Sequence, residues 1–241
     1  MRNMLFKGNM NTWITKNGIR IHRIICLYAN VYVVTGYGHC ILVDTGPVAF
    51  QRFLARQLHR LGITRIHKVI LTHTHYDHAG NAAFLQKKFG SRIMVHPAEA
   101  GYLRKGLSSV PGGITFFARI MERLATGVEP KQLVFPRCEP DALPASEINR
   151  PFFDMPLTVM ATPGHSPGSV SVVVDREIVL VGDCMFGVIP KKILPPFGDD
   201  VGQIIHSWQQ LLATGCHTFL PAHGFRVSRP TVKKNIAVLS P

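Results

Sequence analysis

The sequence lacks the apolar segments that mark membrane and secreted proteins. No apolar run approaches the roughly 18 residues that a membrane-spanning helix requires. The chain begins MRNMLFKGNM, which also lacks the apolar stretch and the small-residue cleavage site of a signal peptide. We therefore expect a cytoplasmic protein that has no membrane partner.

Cysteine is scarce, and its spacing is irregular. The cysteines are odd in number, and no two of them form a C-x-x-C pair. This pattern argues against a disulfide framework, so reduced thiols are expected. The cysteines are Cys26, Cys40, Cys138, Cys184 and Cys216.

Acidic residues are also few. Asp and Glu number 14 against 27 Lys and Arg, which gives a formal net charge of +13. A basic surface attracts nucleic acid, anionic lipid or charged metabolites. However, the basic residues are dispersed, pairs such as Lys87-Lys88 and Lys191-Lys192 are short, and aromatic residues do not alternate with them as a nucleic-acid stacking surface requires. A nucleic-acid partner is therefore disfavoured but not excluded, and a small-molecule substrate is expected.

The length and the apolar content are sufficient for a large buried core. The chain has 241 residues, of which 46% are hydrophobic, and no Ser-rich or charge-blocked stretch marks a linker. A single domain over residues 1–241 is expected. Two stretches, 101–151 and 185–200, are less regular, so they are candidate borders of the functional site, but the sequence identifies no substrate-binding residue in them.

Short apolar runs alternate with amphipathic segments, which predicts two β-sheets with helices on their outer faces. In the first half, strands are expected at 19–25, 31–35, 41–43, 66–71 and 92–95, and helices at 48–61 and 81–89. In the second half, a helical run is expected at 114–125, strands at 157–161, 169–174, 178–181 and 218–220, and a helix at 201–213. The sequence thus predicts an α/β protein.

One short segment concentrates metal-binding side chains. Residues 72–80 read THTHYDHAG and directly follow the apolar run KVIL. Imidazole and carboxylate are ligands that zinc accepts. In an extended segment, side chains two residues apart lie on one face, so His73 and His75 can bind one ion while Asp77 and His78 turn towards a second. The segment therefore predicts a metal site.

Four other His and Asp residues follow apolar runs at distant points of the chain. Each of them alone is a weak signal. If the runs are strands, their ends deliver all of these side chains to one edge of the fold, where the segment 72–80 also lies. They are Asp44 after ILV, His165 in the loop after TVM, Asp183 after IVLVG, and His223 shortly after TFL.

The order of these residues resembles the metallo-β-lactamase superfamily of binuclear metallohydrolases, from about Asn30 to Gly224. The resemblance implies an αβ/βα sandwich of four layers, in which two packed mixed sheets are flanked by helices and the metals lie in a cleft along one edge. It also implies that Asp183 bridges two metals and that Asp44 supports the metal loop without binding metal. The implied ligands are His73, His75 and His165 for the first metal, and Asp77, His78 and His223 for the second.

This ligand set suggests a hydrolytic mechanism. Two divalent ions have four positive charges, and Asp77, Asp183 and a bridging hydroxide remove three, so the site attracts an oxyanion. Ions about 3.5–4 Å apart lower the pKa of bound water towards about 7. We expect the metal-bridging hydroxide to attack a carbonyl or phosphoryl centre, with Asp77 as the catalytic residue that orients the hydroxide and accepts its proton. Zinc is the expected metal, although manganese and iron fit the same ligands.

The superfamily includes several activities, and the sequence narrows the choice. Within the resemblance, an Asp at position 183 makes β-lactam hydrolysis an unfavoured activity. Glyoxalase II and the acyl-homoserine lactonases share the ligand set, but only 18 residues follow His223, too few for a glutathione-binding domain like that of glyoxalase II. We expect hydrolysis of an ester, lactone or thioester of a small molecule. The alternative is a phosphodiesterase or nuclease, which the basic charge favours, and a homodimer is expected by analogy alone.

Overall fold

Two mixed β-sheets pack face to face in the computed structural model, which describes residues 12–108, 112–115, 134–143, 148 and 155–239. The first sheet has seven strands in sequence order. Strands β1 to β4 are antiparallel, and β4 to β7 are parallel. They are β1 Thr12–Ile14, β2 Arg20–Cys26, β3 Ala29–Gly36, β4 His39–Val43, β5 Lys68–Ile70, β6 Arg92–Val95 and β7 Asp141–Ala142.

The second sheet has five strands in the order β12-β11-β10-β9-β8. Strands β10 and β11 are parallel, and the other neighbours are antiparallel. Because parallel neighbours end at the same edge of a sheet, β4 and β5 deliver their following loops to one edge, as do β10 and β11. The strands are β8 Leu157–Ala161, β9 Val170–Val174, β10 Ile178–Gly182, β11 Thr218–Pro221 and β12 Val227–Ser228.

The described helices connect or follow these strands. Helices α3 and α4 end at Gly90 and Gly106, which adopt the left-handed conformation that glycine tolerates best. None of the described helices is both long and apolar enough to cross a bilayer. The helices are a 3₁₀ turn at Val48–Phe50, α1 Gln51–Arg60, α2 Tyr76–Ala79, α3 Ala82–Phe89, α4 Pro97–Lys105, α5 Val201–Ala213 and α6 Arg229–Leu239.

Three apolar clusters separate the layers of the fold. The first lies between the first sheet and helices α1, α3 and α4, and includes Leu54, Leu85 and Leu103. The second consists of strand residues from both sheets. The third lies between the second sheet and helices α5 and α6, and includes Trp208 and Val232. The order helix, sheet, sheet, helix confirms the predicted four-layer α/β sandwich.

Most predicted strands and helices are present, with small shifts at their ends. The helix predicted at 48–61 begins as a 3₁₀ turn, and the strand predicted at 66–71 is shortened to Lys68–Ile70. The helical run predicted at 114–125 lies outside the described residues beyond residue 115, and its first two residues are not helical. The sequence did not predict α2, α4 and α6, whereas the stretch 185–200 is irregular as expected.

Candidate metal centre

The predicted metal ligands meet at the ends of strands from both sheets. The loop between β5 and α2 contains two of them, α2 contains two, and the segments after β8, β10 and β11 contain one each. The fold therefore gathers side chains from four separate parts of the sequence. All seven are buried, and they are His73, His75, Asp77, His78, His165, Asp183 and His223.

Four of these side chains form a first group, in which the facing nitrogen and oxygen atoms all lie within 4.8 Å of one another. His75 Nδ1 lies 2.9 Å from His73 Nε2 and 3.1 Å from His165 Nε2. Asp183 Oδ2 lies 3.5 Å from His165 Nε2. Three imidazoles and one carboxylate are thus gathered around a common point.

Asp77, His78 and His223 form a second group, whose facing atoms again lie within 4.8 Å of one another. His223 Nε2 lies 3.5 Å from Asp77 Oδ2, and His78 Nε2 lies 3.8 Å from Asp77 Oδ1. Asp183 connects the two groups, because its Oδ1 lies 3.4 Å from His78 Nε2 and 3.3 Å from His223 Nε2. Its carboxylate therefore lies between the two groups.

Two buried atoms of the centre have no hydrogen-bond partner in the described part of the chain, His78 Nε2 and Asp183 Oδ1. A buried polar atom without a partner destabilises the folded state. A divalent cation between these two atoms would coordinate both of them. The full donor set, five imidazoles and two carboxylates, is one that zinc, manganese and iron accept. The side chains therefore fit divalent metal ions.

The protonation states differ between the two groups. Burial lowers the pKa of all three imidazoles of the first group, to about 3 for His75, so these rings are neutral at neutral pH. Burial acts in the same direction on His78 and His223, but the neighbouring carboxylates, Asp183 first among them, raise the pKa of both above the usual value. In the absence of metal, protons at the second group therefore balance the charge of the carboxylates.

Asp44 supports the second group without joining it. This residue follows β4 with a φ of 60°, in the left-handed region. Its Oδ1 accepts a hydrogen bond from the backbone N–H of Thr72 at 2.8 Å, and its Oδ2 lies 2.9 Å from His78 Nδ1. Because Asp44 occupies Nδ1, the Nε2 atom of His78 faces the centre as a possible ligand. This is the geometry that the predicted supporting role requires.

Backbone carbonyls orient two more imidazoles in the same way. His165 Nδ1 hydrogen-bonds to the carbonyl oxygen of Phe197 at 3.0 Å. His223 Nδ1 hydrogen-bonds to the carbonyl oxygen of Tyr28, also at 3.0 Å. Since each ring has one nitrogen fixed by the backbone, the opposite nitrogen is held towards the centre.

Glu99 is a buried residue of the centre that the sequence did not reveal. Its Oε2 accepts hydrogen bonds from Thr74 N at 3.1 Å and Thr74 Oγ1 at 2.5 Å, and its Oε1 accepts one from Ser166 Oγ at 2.7 Å. Thr74 lies between two candidate ligands and Ser166 directly follows a third, so one carboxylate connects both loops of the first group. No signal was visible in the sequence because Thr74 and Ser166 are 25 and 67 residues away from Glu99 along the chain.

The sequence predicted that the stretches 101–151 and 185–200 border the site, and the structure describes them to different extents. Residues 185–200 contact the centre, since the ring of Phe186 lies 4.7 Å from the ring of His223 and the carbonyl of Phe197 fixes His165. Much of the stretch 101–151 lies outside the described residues.

Comparison with known proteins identifies relatives of the chain. The family model of the metallo-β-lactamase superfamily matches residues 24–223. A probable metallo-hydrolase of Bacillus subtilis is 28% identical over 206 residues, which cover 82% of this chain and 86% of that protein. An acyl-coenzyme A thioesterase of Bos taurus is 26% identical over 170 residues, which cover 66% of this chain and 58% of that protein.

The fold is similar to those of solved structures. An archaeal metallo-β-lactamase superfamily protein from Sulfolobus tokodaii has a TM-score of 0.63 and 19% identity, over 88% of this chain and 80% of that chain. Together with the clustered His and Asp side chains, the relatives show a metal-dependent hydrolase, while none of them specifies glyoxalase II or a lactonase. The family model spans most of the sequence, from β2 to the last candidate ligand, and the chain therefore belongs to the metallo-β-lactamase superfamily.

Proposed function

We propose that this chain hydrolyses an ester, lactone or thioester of a small molecule at a centre of two divalent metal ions. The observation that supports this most is the position of Asp183, whose two carboxylate oxygens lie 3.3–3.5 Å from imidazoles of both groups. A carboxylate shared in this way suits two ions better than one.

In this proposal, each group would hold one ion, and Asp183 would contribute a carboxylate oxygen to each of them. Zinc is the expected ion because imidazole and carboxylate suit it, although manganese and iron fit the same donors. Ions bound there would activate water as a nucleophile near neutral pH and would polarise the acyl carbonyl. The ligands are His73, His75 and His165 in the first group, and Asp77, His78 and His223 in the second.

We assign proton transfer to Asp77. One of its carboxylate oxygens lies 3.5 Å from His223 Nε2 and the other lies 3.8 Å from His78 Nε2. If one of these oxygens contacts an ion, the other would hold the proton of the attacking water and pass it to the leaving group. Water adds to the carbonyl carbon, the bond to oxygen or sulfur breaks, and the products are an acid and an alcohol or thiol.

The relatives and the charge favour different substrates. The acyl-coenzyme A thioesterase among the relatives supports an ester or thioester. The net charge of +13 favours the second candidate, a phosphodiester, because a basic surface attracts polyanions.

A panel of substrates tests the proposed function. We expect the metal-loaded protein to hydrolyse at least one of p-nitrophenyl acetate, an acyl-homoserine lactone and S-lactoylglutathione, and to lose this activity when a chelator removes the metal. Turnover of bis-p-nitrophenyl phosphate alone would replace the proposal with the phosphodiester candidate. Absence of turnover on all four substrates, with metal content verified, would contradict both.

Replacement of Asp77 by Asn tests its role in proton transfer. We expect Asp77→Asn to lower kcat on the best substrate of the panel by about 10²–10⁴-fold, because the amide cannot accept a proton. Metal content and kcat are measured on the same sample. Asp141→Asn, a change on β7 outside both groups, is the matched control. Unchanged kcat at full metal occupancy would show that Asp77 does not move the proton.

Replacement of Glu99 by Gln tests its support of the first group. The change keeps the size of the side chain but removes the charge that accepts hydrogen bonds from Thr74 and Ser166. We expect the affinity for one of two metal ions to fall about 10–100-fold, as for other partners of metal ligands. The measurement is a calorimetric zinc titration. The control variant Glu139→Gln removes an exposed carboxylate paired with Arg104 and should leave both zinc affinities unchanged. Equal zinc affinities in the two variants would show that Glu99 does not support the first group.

The two metal-binding steps are expected to differ in pH dependence. The second group holds protons in the metal-free state because carboxylates raise the pKa of His78 and His223, and an ion has to displace them. The imidazoles of the first group have lowered pKa values and are already neutral. As the pH falls from about 8 to about 6, zinc affinity should decrease about tenfold per pH unit for each displaced proton at the second group, and less at the first. Equal slopes in calorimetric titrations would contradict this assignment.

A further inference from the structure

Three segments of the chain meet around His223, beside the candidate metal centre. The backbone N–H of Gly187 donates to the carbonyl oxygen of His223 at 2.8 Å, and the N–H of Phe225 donates to the carbonyl oxygen of Gly187 at 3.0 Å. The ring of Tyr28 stacks on the imidazole of His223 at 5.7 Å, and the ring of Phe186 lies 4.7 Å from it, centroid to centroid. The turn between β2 and β3 and the segments after β10 and β11 therefore all contact one candidate ligand.

These segments expose a group of apolar side chains. Of the twelve large apolar residues exposed in the described part of the chain, six belong to them, and five of these lie within two residues of His223 or of a residue that contacts it. Single exposed apolar residues are ordinary, whereas a group of them beside a reactive centre marks a binding surface. We call this group the apolar rim: Leu27 (62% exposed), Tyr28 (43%), Val188 (56%), Ile189 (59%) and Phe225 (69%), with the half-buried Phe186.

The backbone holds the apolar rim in place. A Cβ atom on Gly187 would overlap the carbonyl oxygen of Phe225, and one on Gly224 would overlap the backbone of Gly187, so the two segments touch only because both residues are glycine. Leu27 has a φ of 65°, a conformation that bulky residues rarely adopt. Leu27 and Tyr28 form the two-residue turn that joins β2 and β3, and turns of this length require a positive φ. The exposure of the rim is therefore a fixed property of the fold.

The chemistry of the apolar rim suits a hydrocarbon chain. None of its six side chains is charged. The guanidinium carbon of Arg23 lies 5.9 Å from the ring of Phe225, but Arg23 is only 5% exposed and its Nη1 donates to the carbonyl of Gly224 at 3.1 Å. This positive charge is thus enclosed beneath the rim. A methylene chain would leave water on such a surface, which is favourable. The exposed cations Lys191, Lys192 and Arg226 follow the rim residues in the sequence and lie outside the rim itself.

We propose that the apolar rim binds the hydrocarbon chain of the acyl group, so that the preferred substrates are fatty acyl esters or thioesters. This inference rests on the proposed function, because it takes the metal centre as the place where the acyl carbonyl is attacked. The contacts of Tyr28 and Phe186 with His223 bring the rim next to that carbonyl. Hydrolysis then releases a fatty acid and an alcohol or thiol.

A series of p-nitrophenyl esters from acetyl to octanoyl tests the inference on the metal-loaded protein. We expect kcat/KM to rise about threefold to fourfold for each methylene that the rim buries, mainly through a lower KM. The octanoyl-to-acetyl ratio of kcat/KM should fall at least about tenfold in Phe225→Ser and in Ile189→Ser, since each variant removes apolar surface from the rim. Val238→Ser, the same kind of change at a side chain 72% exposed on α6, should keep the ratio of the parent protein.

The outcomes separate this inference from the proposed function. Hydrolysis of the acetyl ester with no preference for longer chains, or equal ratios in all variants, would overturn the inference and leave the proposed function intact. Absence of ester hydrolysis with other panel substrates active would overturn the inference, and inactivity on the whole panel would overturn both. Light scattering provides a further check. If the rim variants convert a dimer to a monomer without changing the chain-length ratio, a second copy of the chain is the occupant and the inference is wrong.

Discussion

The Asp183 carboxylate is the contact on which the rest of the centre depends. It is buried, and imidazoles from three other parts of the chain lie within 3.5 Å of its two oxygens. Such a group cannot form locally in the sequence. The two sheets create it, because β4 and β5 end at one edge, β10 and β11 end at another, and the apolar cluster between the sheets holds these edges together. The fold therefore positions the donors.

The candidate ligands could be predicted from the sequence, whereas the residues around them could not. Each His or Asp after an apolar run is a weak signal alone, but the segment 72–80 places four of them in six positions, so chemistry and spacing agree. Glu99 gave no comparable signal, because its partners Thr74 and Ser166 are distant in sequence and its place at the start of a helix has an ordinary explanation. The apolar rim could not be predicted either, because a sequence does not show which apolar residues are exposed and which are buried.

Local sequence patterns also predicted only some of the strands and helices. The longer strands were predictable because their apolar residues are continuous or alternate, and α1 and α5 because their apolar residues recur at helical spacing. Helix α2 has only four residues and lies within the metal motif, so its pattern is that of the ligands rather than of a helix. Strands β1, β7 and β12 have two or three residues each, and their pairing depends on neighbouring strands instead of their own composition. Tertiary contacts, not local preference, form these elements.

The atoms His78 Nε2 and Asp183 Oδ1, which have no hydrogen-bond partner in the described part of the chain, have a consequence for the stability of the folded protein. An ion that binds only the folded chain stabilises it by an amount that grows with the logarithm of the free ion concentration. If an ion binds there, the lifetime of the folded chain against proteases would depend on the supply of that ion, because its scarcity would enlarge the unfolded population that proteases degrade. A centre built for chemistry would in this way also report on the supply of trace elements.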